Sequence, residues 1–484
     1  MIRTASHAGD SGHGPLEPTF DPGSFRDRFS RVFIHQSRVY RACSEQALMD
    51  WRRVSRQPFF EELASQKKIV ETRELTADEA AQLPMSTGVV GVLHHERIPF
   101  ISYPYEWPFS MLRAAAALHL EILSAAILAG TILKDASPYN VQFRGSHPVF
   151  IDIGSFIVHA DNEPWTGYRQ FCEMMLFPLL LQAYRGIDLQ PILRANLEGI
   201  SAREFLRSLS WRDRFRPGVF THGCLQSWLE QQTGSSETDT VGALQSSGFD
   251  RSLIEQNLRK LTRLIGRLNW QPARTHWARY RHALPHVVQD TQRKAEFVRE
   301  VCQVRRRQLV WDLGCNDGHF SRIAAEHAAT VVAMDHDHGC VERLYLDLVA
   351  ERCENILPLR MDLLNQSPAQ GWRGRERLRL EDRGQPELVL CLGLIHHLVI
   401  AGNIPLPEVV GWLASLRAEV VIEFPSKLDP MVRGLLRNKA DQYDDYSLAA
   451  LEASLHSHGF DIRNRTELPS GERTLLHVTP AATE

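Results

Sequence analysis

At 484 residues, with 43% hydrophobic and 23% charged side chains, the chain is long enough for two or more domains with sizeable cores. A net charge of −3 gives no general attraction to nucleic acid or to a membrane surface. The eight cysteines form no C-x-x-C pair, which argues against a structural zinc site and a secreted disulfide scaffold and fits a reducing cytoplasm.

Residues 1–24 are polar, rich in Gly, His and Pro, and lack an apolar h-region, so they read as a flexible tail. From Phe25 to Glu74, short strand-like runs (31–34, 38–42, 69–73) flank a helical pattern from Glu45 to about Ala64. Residues 89–94 and 98–103 read as two strands around the turn His95-Glu96-Arg97. The most membrane-like stretch runs from Ala114 to Leu133. His119 and Glu121 within it, and Lys134-Asp135 at its end, favour a buried helix over a span. Strands followed by helices predict an α+β domain over residues 25–230.

Two strand-like runs then present polar ends: Asp135 and Asn140 before the first, Asp152 at the end of the second. Asp-x-x-x-x-Asn, followed by apolar-Asp-x-Gly, resembles the catalytic and metal-binding loops of protein-kinase-like and aminoglycoside-phosphotransferase-like folds. The resemblance implies that Asp135 orients an acceptor hydroxyl and that Asn140 and Asp152 hold Mg²⁺ beside ATP. The chain departs from that pattern. Residues 20–60 have no Gly-rich phosphate loop, Leu133-Lys134 replaces the usual His-Arg, and Lys67 and Lys68 are the nearby candidates for the phosphate-pairing lysine. The alternative is that Asp135, Ser137 and Asn140 cap a turn and Asp152 merely ends a strand.

Trp165–Tyr184 reads as an apolar core helix. The Ser/Thr/Gly-rich run 231–247 opens a linker and helical connection assigned to 231–290. Arg251–Arg307 is basic, with Trp270, Trp277 and Tyr280 interleaved. Its charges fall at helical spacing and no nucleic-acid motif accompanies them, so a solvated amphipathic face is the better reading. A helix from Thr291 to Cys302 leads into a second domain, 291–484.

That second domain repeats strand and helix. Leu309–Asp312 is an apolar run ending in an acid. The turn Gly314-Cys-Asn-Asp-Gly318 follows, then a helix from His319 to His327. Gly314 and Gly318 let backbone approach a ligand, and Asn316 tolerates a left-handed conformation. Strand Thr330–Asp335 ends in an acid about 20 residues after the loop, the spacing that lets a Rossmann-like unit reach ribose hydroxyls. A helix from Val341 to Ala350 follows. Ile356–Asp362, Glu387–Gly393 and Val420–Phe424 are further strands, and 461–465 with 474–478 supply an antiparallel edge. The fold expected is α/β: a mostly parallel, doubly wound C-terminal sheet plus the N-terminal α+β domain.

Acid- or Gly-ended strands converging on one crevice resemble class I S-adenosylmethionine-dependent methyltransferases. The resemblance implies that the loop from Asp312 through Gly314 and Asn316 to Gly318 cradles the amino-acid part of S-adenosyl-L-methionine. Asp335 would hold the ribose, Met361 and Asp362 the adenine, and Leu392 and Gly393 the methyl-donor side. A dinucleotide enzyme competes, but the loop lacks G-x-G-x-x-G phasing. Trp311–Ser321, Met361-Asp-Leu, Gly371–Arg377, Leu394–Leu398, Ile422–Met431, Leu133–Asn140 and Phe150–Phe156 together resemble the nodulation-protein NoeA-like methyltransferases. That likeness implies a small-molecule or glycoconjugate acceptor. Neither nucleic-acid binding nor a membrane span is expected.

His396 and His397, after the fourth strand, are candidate acceptor-side bases. Each is equally readable as a structural histidine. Glu423 and Lys427 are weaker candidates, with a strand-end salt bridge as the alternative. Three readings stand: a methyltransferase with an appended domain, a phosphotransferase fused to a methyltransferase, and a cofactor-binding scaffold with a degenerate kinase-like module.

Overall fold

A computed structural model of the chain describes residues 19–84, 89–160, 163–224, 251–272, 285–437, 439 and 442–481. The run 231–247, Trp277 and Tyr280 lie outside them.

The second half is a seven-stranded sheet built from β10 (Arg307–Leu313), β11 (Ala328–Asp335), β12 (Ile356–Arg360), β13 (Leu388–Cys391), β14 (Glu419–Pro425), β15 (Phe460–Glu467) and β16 (Arg473–Pro480). Its order is β12-β11-β10-β13-β14-β16-β15. The first five of these pair in parallel, and β16 runs antiparallel to both β14 and β15. The five parallel strands are mostly apolar runs because both their faces are covered. Alternation sorts them: Leu309, Trp311 and Leu313 of β10 join a core shared with the first half of the chain, while Val310 points to the opposite core with Phe297 and Val298. The same split sends Val332 and Met334 of β11 one way and Val331 and Ala333 the other. The strand order reverses between β10 and β13, which opens a crevice at their carboxyl ends.

The first half carries a five-stranded antiparallel sheet: β1 (Thr19–Phe20), β2 (Ser30–His35), β3 (Arg38–Cys43), β5 (Gly91–His95) and β4 (Thr72–Glu74), in that order. Two small pairs follow, β6 (Thr131–Leu133) with β9 (Phe156–Val158) and β7 (Val141–Arg144) with β8 (His147–Phe150). Helix Phe109–Leu128 lies among them. It is long and apolar enough to cross a membrane by length and composition, yet Met111, Leu112, Leu120 and Leu123 are fully buried within the protein.

Several boundaries differ from expectation, each for a local reason. The helical pattern 45–64 is two helices, Glu45–Val54 and Pro58–Ser65, because Pro58 forces Gln57 into an extended conformation. The helix expected to run to Leu133 stops at Leu128, and Gly130 at φ +71° turns the chain into β6. Residues 98–103 do not form a strand. Pro99 has no N–H, and Ser102 exchanges both its backbone hydrogen bonds with the Gln142 side chain. The strand expected at 69–73 is shorter, Thr72–Glu74, with Ile69 making a single bridge to Phe150. The tail expected over residues 1–24 includes β1 and ends where the turn Ser24–Arg26 begins, whose arginine pairs with Glu376 at 2.7 Å.

The halves are joined through buried polar contacts. Arg383 forks onto Glu106 at 2.6 and 2.7 Å, both side chains being essentially solvent-free. Ser110 donates twice to Glu342. His338, at the start of helix His338–Glu351, stacks on Trp270 and is surrounded by Asp188, Gln182 and Gln190.

Candidate functional site

The loop after β10 closes in the left-handed conformations its residues allow: φ is +75° at Gly314, +50° at Asn316 and +75° at Gly318. A Cβ at Gly318 would lie 2.6 Å from Leu344, so packing demands glycine there. Gly314 and Cys315 donate backbone N–H bonds to the Met334 carbonyl, which fastens the loop to β11. Asp335 completes the fastening. Its Oδ2 accepts from Asn316 N and its Oδ1 from Asp337 N, both at 2.8 Å. His336 leans on Asp335 at 3.4 Å, and this contact raises its pKa.

Above the loop lies a cavity of about 550 Å³, within the range of small-molecule sites. Gly314, Asn316, Asp335, Met361, Asp362, Leu392 and Gly393 line it, as do His396, His397 and Glu423. The fold therefore brings ten of the twelve predicted residues to one chamber. Asp312 and Gly318 are placed beneath it. Asp312 is buried and accepts from Ser321 Oγ at 2.5 Å, and burial pushes its carboxyl up to about 7 against that bond. Asp312 thus pins the helix to the strand, and Gly318 packs on Leu344. Lys427 sits in the turn after β14, outside the cavity wall.

Glu423, also in the cavity wall, has no solvent exposure. Lys294 reaches its Oε1 at 2.6 Å and Arg473 at 2.8 Å, and Arg473 also holds Asp429 at 2.6 Å. Burial alone would raise the Glu423 carboxyl, but the two cations outweigh it and hold it at about 2. Its Oε2 has no partner among the described residues and lies 3.7 Å from where a Cβ on Gly393 would sit. His396 is buried, with Nδ1 likewise unpartnered, and its ring lies 4.2 Å from that of His397. Burial first, and then His397 and Arg473, lower His396 to about 3, so it is a neutral imidazole at neutral pH. Burial also lowers His397.

Lys294, Arg473, Asp429 and Met431 are cavity residues that sequence reasoning missed. A signal existed for one of them: Arg473 is a lone cation opening the apolar strand Thr474–Val478.

In the first half, Arg41 on β3 donates to Asp152 Oδ1 at 3.0 Å and to Ser30. Asp27 lies 3.9 Å from both Arg41 and Lys134. Asp135 is raised by burial and then by Asp152. Asn140 Nδ2 has no partner among the described residues. Lys67 and Lys68 are elsewhere, on Glu354 and Glu121, so the cation facing Asp152 is Arg41 instead. Among the described residues, no cluster of three or more acidic, His or Cys side chains is arranged to hold a metal ion.

No protein-family model matches the chain. Among solved structures it is similar to magnesium protoporphyrin IX methyltransferase (ChlM) from Synechocystis PCC 6803 with bound SAH, at 18% identity, covering 42% of this chain and 94% of that one, TM-score 0.31. It is also similar to the N-methyltransferase NodS from Bradyrhizobium japonicum WM9 in complex with S-adenosyl-l-homocysteine, at 12% identity, covering 42% and 91%, TM-score 0.31. At these scores neither likeness bears on the chemistry of this chain. The nodulation protein NoeA of Rhizobium meliloti (strain 1021) is 32% identical over 455 residues, spanning 94% of each chain. With that identity along nearly its whole length, the chain belongs to the NoeA family of nodulation proteins.

Proposed function

We propose that the chain is an S-adenosylmethionine-dependent methyltransferase acting on a small-molecule or glycoconjugate acceptor. The observation that carries this reading is one chamber whose wall brings Gly314, Asn316, Asp335 and Asp362 together with the buried Glu423 and His396. The residues fit the cofactor. Side-chain-free backbone at Gly314 and Gly393 gives room for its amino-acid part, and the Asp335 and Asp362 carboxylates suit hydroxyl and amino donors. When bound, its sulfonium supplies the methyl group.

The protein's own contribution follows from Glu423 and His396. Glu423 is ionised, dehydrated and free at Oε2, so it accepts a hydrogen bond from an N–H or O–H of the acceptor and stabilises positive charge developing there. His396 at about 3 is a weak base, so alignment and exclusion of water carry more of the rate than proton abstraction. Glu423→Gln is expected to bind S-adenosylhomocysteine as tightly as wild type. Transfer of labelled methyl into fractionated host extract should drop roughly a hundredfold, the loss of one charge-assisted hydrogen bond. Undiminished transfer by this variant would remove Glu423 from the reaction, and failure of the wild type to bind S-adenosylhomocysteine in calorimetry would remove the whole reading.

For the first half, the Arg41–Asp152 pair favours a kinase-like module that does not transfer phosphate. The guanidinium already neutralises Asp152 through Oδ1, a charge that a divalent cation would otherwise supply. ATP with Mg²⁺ is expected to leave the melting temperature unchanged within about 1 °C. A clear rise would restore phosphotransfer as a candidate activity.

A further inference from the structure

Residues 203–216 carry five arginines against two acids. Within and just after this run, three aromatic rings stand in solvent: Trp211 at 68% exposure, Phe215 at 81% and Phe220 at 69%. Phe215 and Phe220 sit on two short helical turns packed on each other, Asp213–Phe215 and Val219–Cys224, and Trp211 lies just before the first. The display is held rigid from below. Asp213 is buried, accepts from Ser210 N and Oγ at 3.0 and 2.6 Å, and pairs with Arg185 and Arg216. That carboxylate is therefore neutralised inside the turn, and the charge left facing solvent beside the rings is positive, on Arg212 and Arg214. Monomeric proteins seldom leave several large rings exposed side by side without a use for them.

The surroundings narrow the partner. The rings are exposed, and neither the cavity described above nor a second one of about 320 Å³ lined by Lys67, Lys68 and Arg144 involves them. Trp211 is a poor stacking platform for a nucleic-acid base, because the Arg212 guanidinium lies over its ring at 5.3 Å. Exposed aromatics interleaved with guanidinium groups suit a deformable interface, where rings enter the headgroup zone and arginines meet lipid phosphates. We propose that the Trp211–Phe220 turn docks the protein on the surface of an anionic lipid bilayer.

Sedimentation of the full chain with vesicles tests this. Phosphatidylglycerol/phosphatidylcholine vesicles should carry the protein down, pure phosphatidylcholine vesicles should not, and binding should fade between about 0.1 and about 0.5 M salt. The W211S/F215S variant should partition roughly tenfold less, with its melting temperature and its affinity for S-adenosylhomocysteine unchanged. No sedimentation with anionic vesicles, or equal sedimentation of the variant, overturns the proposal. So does binding to a single-stranded oligonucleotide, or concentration-dependent dimerisation, that the variant loses while vesicle binding is absent in both proteins.

Discussion

Truncating Arg383 to alanine is expected to lower the unfolding free energy by about 3–5 kcal/mol, the cost of stranding a buried charge partner. Glu106 would keep Ser367 Oγ and Tyr103 N as donors but lose both guanidinium bonds. The Ile101 carbonyl would lose its donor as well, and Phe100 and Tyr103 the cation between them. Urea titration of the purified variant measures the loss. Replacing the pair together, E106Q/R383M, should recover much of it, since removing both charges leaves neither uncompensated. A loss below about 1 kcal/mol for the alanine variant would mean that water enters and solvates Glu106.

Asp335→Ala is expected to weaken S-adenosylhomocysteine binding a hundredfold or more. Two backbone N–H groups, of Asn316 and Asp337, lose their carboxylate acceptor at once. Each such bond to a charged group is worth about 1.5–3 kcal/mol. Asn316 is held at φ +50°, so releasing its N–H frees the loop to leave the conformation that shapes the chamber. Asp335→Asn retains one acceptor oxygen and should fall between the two. Calorimetry reads all three proteins, and equal affinities for wild type and alanine variant would detach Asp335 from the cofactor.

The loop side of the cavity was legible in the chain itself because each part is local. A strand ends in an acid, a left-handed turn follows within a few residues, and the next strand ends in another acid. Gly314, Asn316 and Gly318 adopt the conformations their side chains permit, and the acids arrive where strand length puts them. The cluster around Glu423 was not legible for the opposite reason. Lys294 belongs to helix Pro285–Cys302 and Glu423 to β14, and only the layering of that helix on the sheet brings the two together. A lysine among helical apolar residues carries no local sign of its partner. Arg41 was missed in the same way, since its meaning depends on Asp152 across the fold. Residues 98–103 show the converse error: an apolar alternation read as a strand, when the backbone partner is a glutamine side chain.

The shared core bears on how such a gene can change. Leu309, Trp311 and Leu313 of the seven-stranded sheet are packed together with Trp107 and Phe100 of the first half, and Glu342 and Arg383 find their partners there. Joining the second half to an unrelated first half would uncover that apolar face and strand two buried charges in one step. Substitutions at Glu106, Ser110 and the Asp188–His338 contact are therefore expected to couple energetically to substitutions in the residues they brace.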